Sequence, residues 1–345
     1  MILIVGAGLS GLLTAYRLKK AGKEIKVIEA RDRVGGRIHT LLSNAKTPVE
    51  MGATWLWKTN PSLIDLLKEL KISVFEQFME GQAYVQYFCN SPAQLIDIPQ
   101  QETSYRVVGG SSVLINTLAE SLTRDELKLR EVVQSIVQQN DTIKVITDSS
   151  EYISEKVILA LPPRLITQSI SFEPLLPKEL LDISKKTHTW MEDSIKIALI
   201  FKAPFWRNRN LAGAVFSNIG PVTEFYDHSN SEGTTFALCG FMSNAYQPLS
   251  RSEREEKVVD QMVQIFGKEA SDFLSYEETV WESETFTKGL NPLPLFPHQN
   301  NGHPVFQDSF YDGRLFFSNA ETSLQNPGYM DGAVFAAEKM VKKLN

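Results

Sequence analysis

The opening residues commit this chain to a β–α–β unit wound around a glycine turn. Ile2 to Val5 is a short apolar run, as expected of a strand buried on both faces of a parallel sheet. It leads directly into Gly6-Ala7-Gly8-Leu9-Ser10-Gly11. A helical pattern follows, with Leu12, Leu13, Tyr16 and Leu18 apolar, Arg17, Lys19 and Lys20 polar, and Gly22 as the expected C-cap. A second strand, Ile25-Lys26-Val27-Ile28, then ends in Glu29.

Each step of that spacing has a physical reason. Gly6 permits the tight turn, Gly8 lets the backbone approach a pyrophosphate, and Gly11 lets helix and strand pack closely. The helix N-terminus offers free N–H groups and the positive end of a dipole to an anion. Glu29, 18 residues beyond Gly11, is placed to accept hydrogen bonds from ribose hydroxyls. A glycine triplet alone is weak evidence; strand, glycines, helix, strand and acid in that order specify a dinucleotide site.

The continuation narrows the choice. Ala30-Arg31-Asp32-Arg33-Val34-Gly35-Gly36-Arg37 sets two adjacent glycines among arginines, which suits a backbone passing close to a ligand with guanidinium groups near phosphate. A second stretch of small residues lies in Glu50-Met51-Gly52-Ala53-Thr54-Trp55, where Gly52 and Ala53 read as keeping Cβ atoms clear of a cofactor.

A chain of 345 residues is long for one core and suits two domains. The net charge of −6, with no Lys/Arg-rich block, argues against nucleic acid as a partner. Cys89 and Cys239 are far apart with no CxxC, and the five histidines show no ligand spacing, so no metal site is expected. No run approaches the ~18 consecutive apolar residues of a membrane span. Because the first strand begins at once, no leader is expected, and the expected location is cytoplasmic.

The stretch from Gly6 through Arg37 to Trp55 resembles, block by block, the flavin-containing amine oxidase family, which includes monoamine, polyamine and L-amino-acid oxidases. Further matching blocks are Val107-Val108-Gly109-Gly110, a glycine turn before a helix, and Glu131 to Ile136. A β-meander (Ile143 to Thr147, then Tyr152 to Leu159), Ala160-Leu161-Pro162-Pro163, Leu315 to Thr322 and Gly328-Tyr329-Met330-Asp331-Gly332-Ala333 continue the match. The last block opens a helix expected to run to about Leu344.

The resemblance implies an α/β fold: a Rossmann-like FAD-binding domain made of residues 1–75, 105–175 and 285–345, and a small α+β substrate domain made of 76–104 and 176–284. It implies that Ser10, Glu29, Ala30, Arg31, Gly35, Gly36, Arg37, Gly52, Ala53 and Thr54 contact FAD. The backbone near Val133 holds the adenine, Glu321 ends the strand that delivers an acid, and Met330 donates from its backbone to the pyrimidine end of the flavin ring. Asp193-Ser194-Ile195-Lys196-Ile197-Ala198 resembles the strand that carries a lysine beside the flavin, and Trp281 the tryptophan that packs near it. On pattern alone, Lys196 would be a solvated residue on the face opposite Ile195 and Ile197.

The sequence departs from the family at three points. The stretch Lys288-Gly289-Leu290-Asn291-Pro292 has no cysteine where several members tether FAD, so attachment is expected to be noncovalent. Asn291 stands where an aromatic often pairs with the residue matching Tyr329, which leaves half an amine cage and an amide able to bind a polar substrate. The insert between the FAD segments is short, so either a more open cavity or its closure by a second copy or a protein partner is expected. The implied chemistry is hydride transfer from the α-carbon of a small amine or amino acid to flavin N5, followed by reoxidation by O2 to give H2O2. Lys196 assists reoxidation. Two other readings stay open: a desaturase- or protoporphyrinogen-oxidase-like enzyme acting on carbon–carbon bonds, and a noncatalytic FAD-containing partner protein.

Overall fold

A computed structural model describes residues 1–89, 91–289 and 295–345. The strand Ile2–Val5 lies between Ile25–Glu29 and Lys156–Leu159, parallel to both. Its four apolar residues divide between two cores. Ile2 and Ile4 face the helices Leu9–Lys20, Pro61–Glu69, Ser112–Ala119 and Met330–Leu344, while Leu3 and Val5 face a second layer containing Val133, Ile143, Leu180 and Phe317. Burial on both sides is why the run does not alternate. The full sheet has six strands in the order Leu127–Leu129, Ile25–Glu29, Ile2–Val5, Lys156–Leu159, Leu315–Phe317 and Ser309–Phe310, with only the last antiparallel.

The glycine turn is held by close packing. A Cβ on Gly11 would lie 2.0 Å from the carbonyl oxygen of Gly6, so helix and turn touch backbone to backbone. Gly11→Ala is therefore expected to lose about 1–3 kcal/mol in denaturant unfolding, the usual cost of overpacking. A variant as stable as its parent would show that the helix start can slide.

A seven-stranded sheet forms the other half of the molecule, in the order Phe273–Val280, Ile195–Phe201, Phe236–Met242, Val222–Asp227, Leu211–Ser217, Gln82–Gln86 and Gln94–Asp97. Ile195–Phe201 is buried at every position. Ile195, Ile197 and Leu199 pack against Val258 and Met262 of the helix Arg251–Phe266, while Ala198 and Ile200 meet Val49 and Met51. That helix begins with a capping box between Ser250 and Glu253 and stops at Gly267, whose φ is +89°.

The structure corrects the expected meander. Tyr152 to Leu159 is not one strand but two, Glu151–Ser154 and Lys156–Leu159. The first pairs with Thr142–Thr147 in a four-stranded sheet, and the second joins the parallel sheet beside Ile2–Val5. The change of sheet falls at Glu155, whose N–H donates to the Met1 carbonyl, while the Ser154 hydroxyl donates to the Lys156 carbonyl at 2.6 Å. Two strands within 76–104, Gln82–Gln86 and Gln94–Asp97, extend the seven-stranded sheet past Leu211–Ser217.

Candidate active site

A cavity of about 1020 Å³ lies between the two sheets. One wall is built from the carboxyl ends of the parallel strands: Gly6, Gly8 and Ser10, then Glu29 and Arg31, then Ala160 to Pro162, then Asn319 and Ala320. Ligands of open parallel sheets bind at those ends, where loops diverge and helix N-termini point inward. The facing wall comes from the seven-stranded sheet and includes Lys196, Glu224, Tyr226, Phe241 and Met242.

The first wall has the geometry that suits an anion. Gly8 caps the helix Leu9–Lys20 with no side chain on its N–H groups, and a Cβ on Gly8 would meet nothing within 4 Å. The Glu29 carboxylate accepts from the N–H groups of Ala7 (2.8 Å) and Arg31 (2.9 Å), which ties the turn to the end of the second strand. Gly35 donates to the Ala7 carbonyl, and Gly36, at φ +56°, comes near the Cα of Gly8. Arg31 and Arg37 line the cavity with their guanidinium groups anchored. Arg31 pairs with Glu284 at 3.2 Å and donates to the Thr287 hydroxyl at 2.7 Å. Arg37 pairs with Glu321 at 2.6 and 2.9 Å and donates to the Trp190 carbonyl at 3.2 Å.

Lys196 is not solvated. It is 2% exposed, because both faces of its strand are covered. Its Nζ donates to the Gly52 carbonyl at 2.6 Å and to the Thr54 hydroxyl, and lies 5.0 Å from the ring centre of Trp55 and 5.4 Å from that of Phe241. Burial pushes its pKa below the ordinary lysine range, against the pull of Glu50. Burial likewise raises the Glu50 carboxyl, which accepts from the Thr40 hydroxyl at 3.1 Å and from the Ser111 N–H. The Glu50 N–H donates to His228 Nε2 at 3.1 Å, so the proton of this buried imidazole sits on Nδ1, and burial keeps the ring neutral. Trp281 lines the cavity and braces the same segment by donating to the Met51 carbonyl at 2.7 Å.

The segment from Gly52 to Thr54 differs from expectation in one respect. A Cβ on Gly52 would fall 2.1 Å from the Arg37 carbonyl oxygen and 2.7 Å from the His39 nitrogen. Neighbouring backbone therefore demands this glycine, whatever the cavity holds. Gly52, Ala53 and Thr54 all line the cavity.

At the far end, Tyr329 caps the helix Met330–Leu344 and is 42% exposed. Its ring stacks on His298 with centroids 5.3 Å apart and tilts against Trp190 at 5.6 Å, while Trp190 and His298 stack at 4.2 Å. Tyr329, Met330 and Trp190 line the cavity.

Three expected contact residues do not line it: Ala30, Val133, whose side chain belongs to an apolar core with Leu3 and Ile136, and Glu321, fully buried behind Arg37. Gly11 also lies off the cavity, packed on the turn as expected. Asn291 lies outside the described residues. Sequence reasoning missed Trp190, His298, Glu224, Tyr226 and Phe241. None has a spacing signature, and cross-strand pairing and loop packing alone bring them together.

The fold and site define an α/β protein in which a second sheet closes an aromatic-walled cavity over the glycine turn of the first. The chain belongs to the flavin containing amine oxidoreductase family, whose model matches residues 9–103 and 92–344. It is thus a flavin-dependent oxidoreductase, and the noncatalytic reading gives way. It is 24% identical to amine oxidase [flavin-containing] A of Sus scrofa over 99% of this chain and 84% of that protein. It is 23% identical to a probable flavin-containing monoamine oxidase A of Dictyostelium discoideum, covering 97% of it. A putrescine oxidase structure bound to putrescine shares the fold with a TM-score of 0.87 at 23% identity, covering 99% of this chain and 98% of that one. Cyclohexylamine oxidase from Brevibacterium oxydans superposes with a TM-score of 0.86 at 20% identity, over the same shares. Among the described residues, no helix is long and apolar enough to cross a membrane.

Proposed function

We propose that this chain binds FAD noncovalently and oxidises the C–N bond of a small amine or amino acid. The observation that carries the reading is one continuous cavity joining the glycine cradle to the Lys196–Trp55–Phe241 wall and to Tyr329. The residues fit the cofactor: a helix N-terminus without a side-chain cap, a Cβ-free approach at Gly8, and a buried carboxylate in Glu29 at the strand end. In this reading, the parallel-sheet unit holds the cofactor and the seven-stranded sheet receives the substrate.

The bound flavin would supply the oxidant, taking a hydride at N5 from the carbon bearing nitrogen and being renewed by O2 with release of H2O2. The chain's own residues do the rest. Gly6, Gly8 and Ser10 would carry the diphosphate, Glu29 the ribose, and the N–H groups at Met330 the pyrimidine end of the ring, where a helix dipole favours negative charge. Arg31, Gly35, Gly36, Arg37, Ala53, Thr54 and Trp281 line the space between. The dry setting around Lys196 disfavours the charged form of an amine held beside it, so the amine reacts as the neutral base. Tyr329 and Trp190 present π faces to the nitrogen.

Purified protein is expected to be yellow and to release its flavin on acid precipitation. Under anaerobic conditions, amines or amino acids are expected to bleach it. Bleaching by carbon–carbon substrates alone would transfer the assignment to the desaturase-like reading, and colourless protein that refuses added FAD would end it.

A further inference from the structure

The helix end beside Tyr329 carries a carboxylate to which the reaction above gives no task. Asp331 lies in the first turn of Met330–Leu344, is 1% exposed, and lines the cavity next to Met330. One of its oxygens accepts from the Leu63 N–H at 2.9 Å and the other from the Asn326 side-chain amide at 2.7 Å. Two accepting oxygens are the pattern of an ionised carboxylate. Leu63 belongs to the first turn of Pro61–Glu69, and Asn60 and Leu63 also line the cavity. The N-termini of two helices therefore converge on this one acid.

The charges at this end can be compared in size. A helix N-terminus acts as roughly half a positive charge, so two together amount to about one. A single carboxylate offsets that. Among the described residues, no lysine, arginine or histidine pairs with Asp331. The arginines of the cavity are already matched, Arg31 by Glu284 and Arg37 by Glu321. Asp331 is held away from water, where a charge is felt strongly.

We infer that Asp331 sets the reduction potential of the bound flavin, keeping it lower than the two helix ends alone would. This rests on the flavin site proposed above. Hydride uptake brings two electrons and one proton to the ring, which becomes one unit more negative. Helix N-termini favour that form, and a neighbouring carboxylate disfavours it. O2 then removes the two electrons and, with that proton and one from water, leaves as H2O2. Asp331 thus favours the second half of the cycle at the expense of the first.

The test measures the midpoint potential against a reference dye, and the affinity for oxidised FAD, on the flavin-loaded chain. The variants are Asp331→Asn, Asp331→Ser and the exchange Asn326→Asp/Asp331→Asn. Asparagine keeps an acceptor for the Leu63 N–H, and serine is neutral and smaller, so if one fails to fold the other decides. We expect both to shift the reduction equilibrium about tenfold or more towards the reduced form, about 30 mV for a two-electron couple. The exchange returns a carboxylate to the same corner of the cavity, since Asn326 lines it too, and should recover most of that shift. Neutral variants whose equilibrium stays within about threefold of the parent, or an exchange that recovers nothing, would overturn the inference. Weaker binding of oxidised FAD at an unchanged potential overturns it as well and leaves Asp331 a packing role alone. A parent that takes up no FAD at all instead ends the flavin reading on which the inference stands.

Discussion

Lys196→Met is expected to slow reoxidation of the reduced flavin by O2 about 10²–10³-fold, the usual cost of removing one preorganised donor from a water-excluded site. The ammonium is buried, fixed by the Gly52 carbonyl and the Thr54 hydroxyl, and flanked by two rings, so it acts in a low-dielectric setting where one charge counts heavily. Methionine keeps the length and removes the charge. The fold should tolerate it, because the Thr54 hydroxyl already donates to the Gly52 carbonyl at 3.1 Å and a buried ammonium is expensive to hold. Stopped-flow mixing of reduced protein with oxygenated buffer gives the rate, and a value within threefold of the parent would remove Lys196 from the mechanism. The sign with pH follows from burial. With its pKa below the ordinary lysine range, the ammonium is lost earlier as pH rises, so the parent slows on alkalinisation while the methionine variant stays flat.

Arg37→Ala should destabilise the protein by about 3–5 kcal/mol, the cost of breaking a buried ion pair on one side. Glu321 is 0% exposed and meets Arg37 at 2.6 and 2.9 Å, so alanine would leave a buried carboxylate without its cation. The same guanidinium reaches the Trp190 carbonyl, so the cavity wall beside Tyr329 should loosen as well. Thermal unfolding of the flavin-free protein measures the effect. The double variant Arg37→Ala/Glu321→Ala should recover a large part of the loss. If it recovers none, the pair is not what Arg37 stabilises.

The parts of this protein that were legible in the sequence are those whose signals are local. Four apolar residues in a row, a glycine triplet and a helix pattern lie within one turn of chain, and the structure builds them as Ile2–Val5 and Leu9–Lys20. Tyr152 to Leu159 misled because nothing local marks a change of sheet, which depends on Met1 meeting Glu155 across the fold. Gly52 lines the cavity as expected, but the neighbour that its missing Cβ accommodates, the Arg37 carbonyl, comes from another segment and has no local signal.

A glycine turn of the shape that suits a diphosphate could be read from the chain alone, because the dihedrals, the missing Cβ atoms and the helix dipole belong to adjacent residues. Only the tertiary structure decided the character of Lys196, Glu224 and Tyr329. Burial, cross-strand neighbours and ring stacking arise between segments far apart in the chain, and those contacts convert a lysine that reads as solvated into a dry, fixed side chain in the cavity wall.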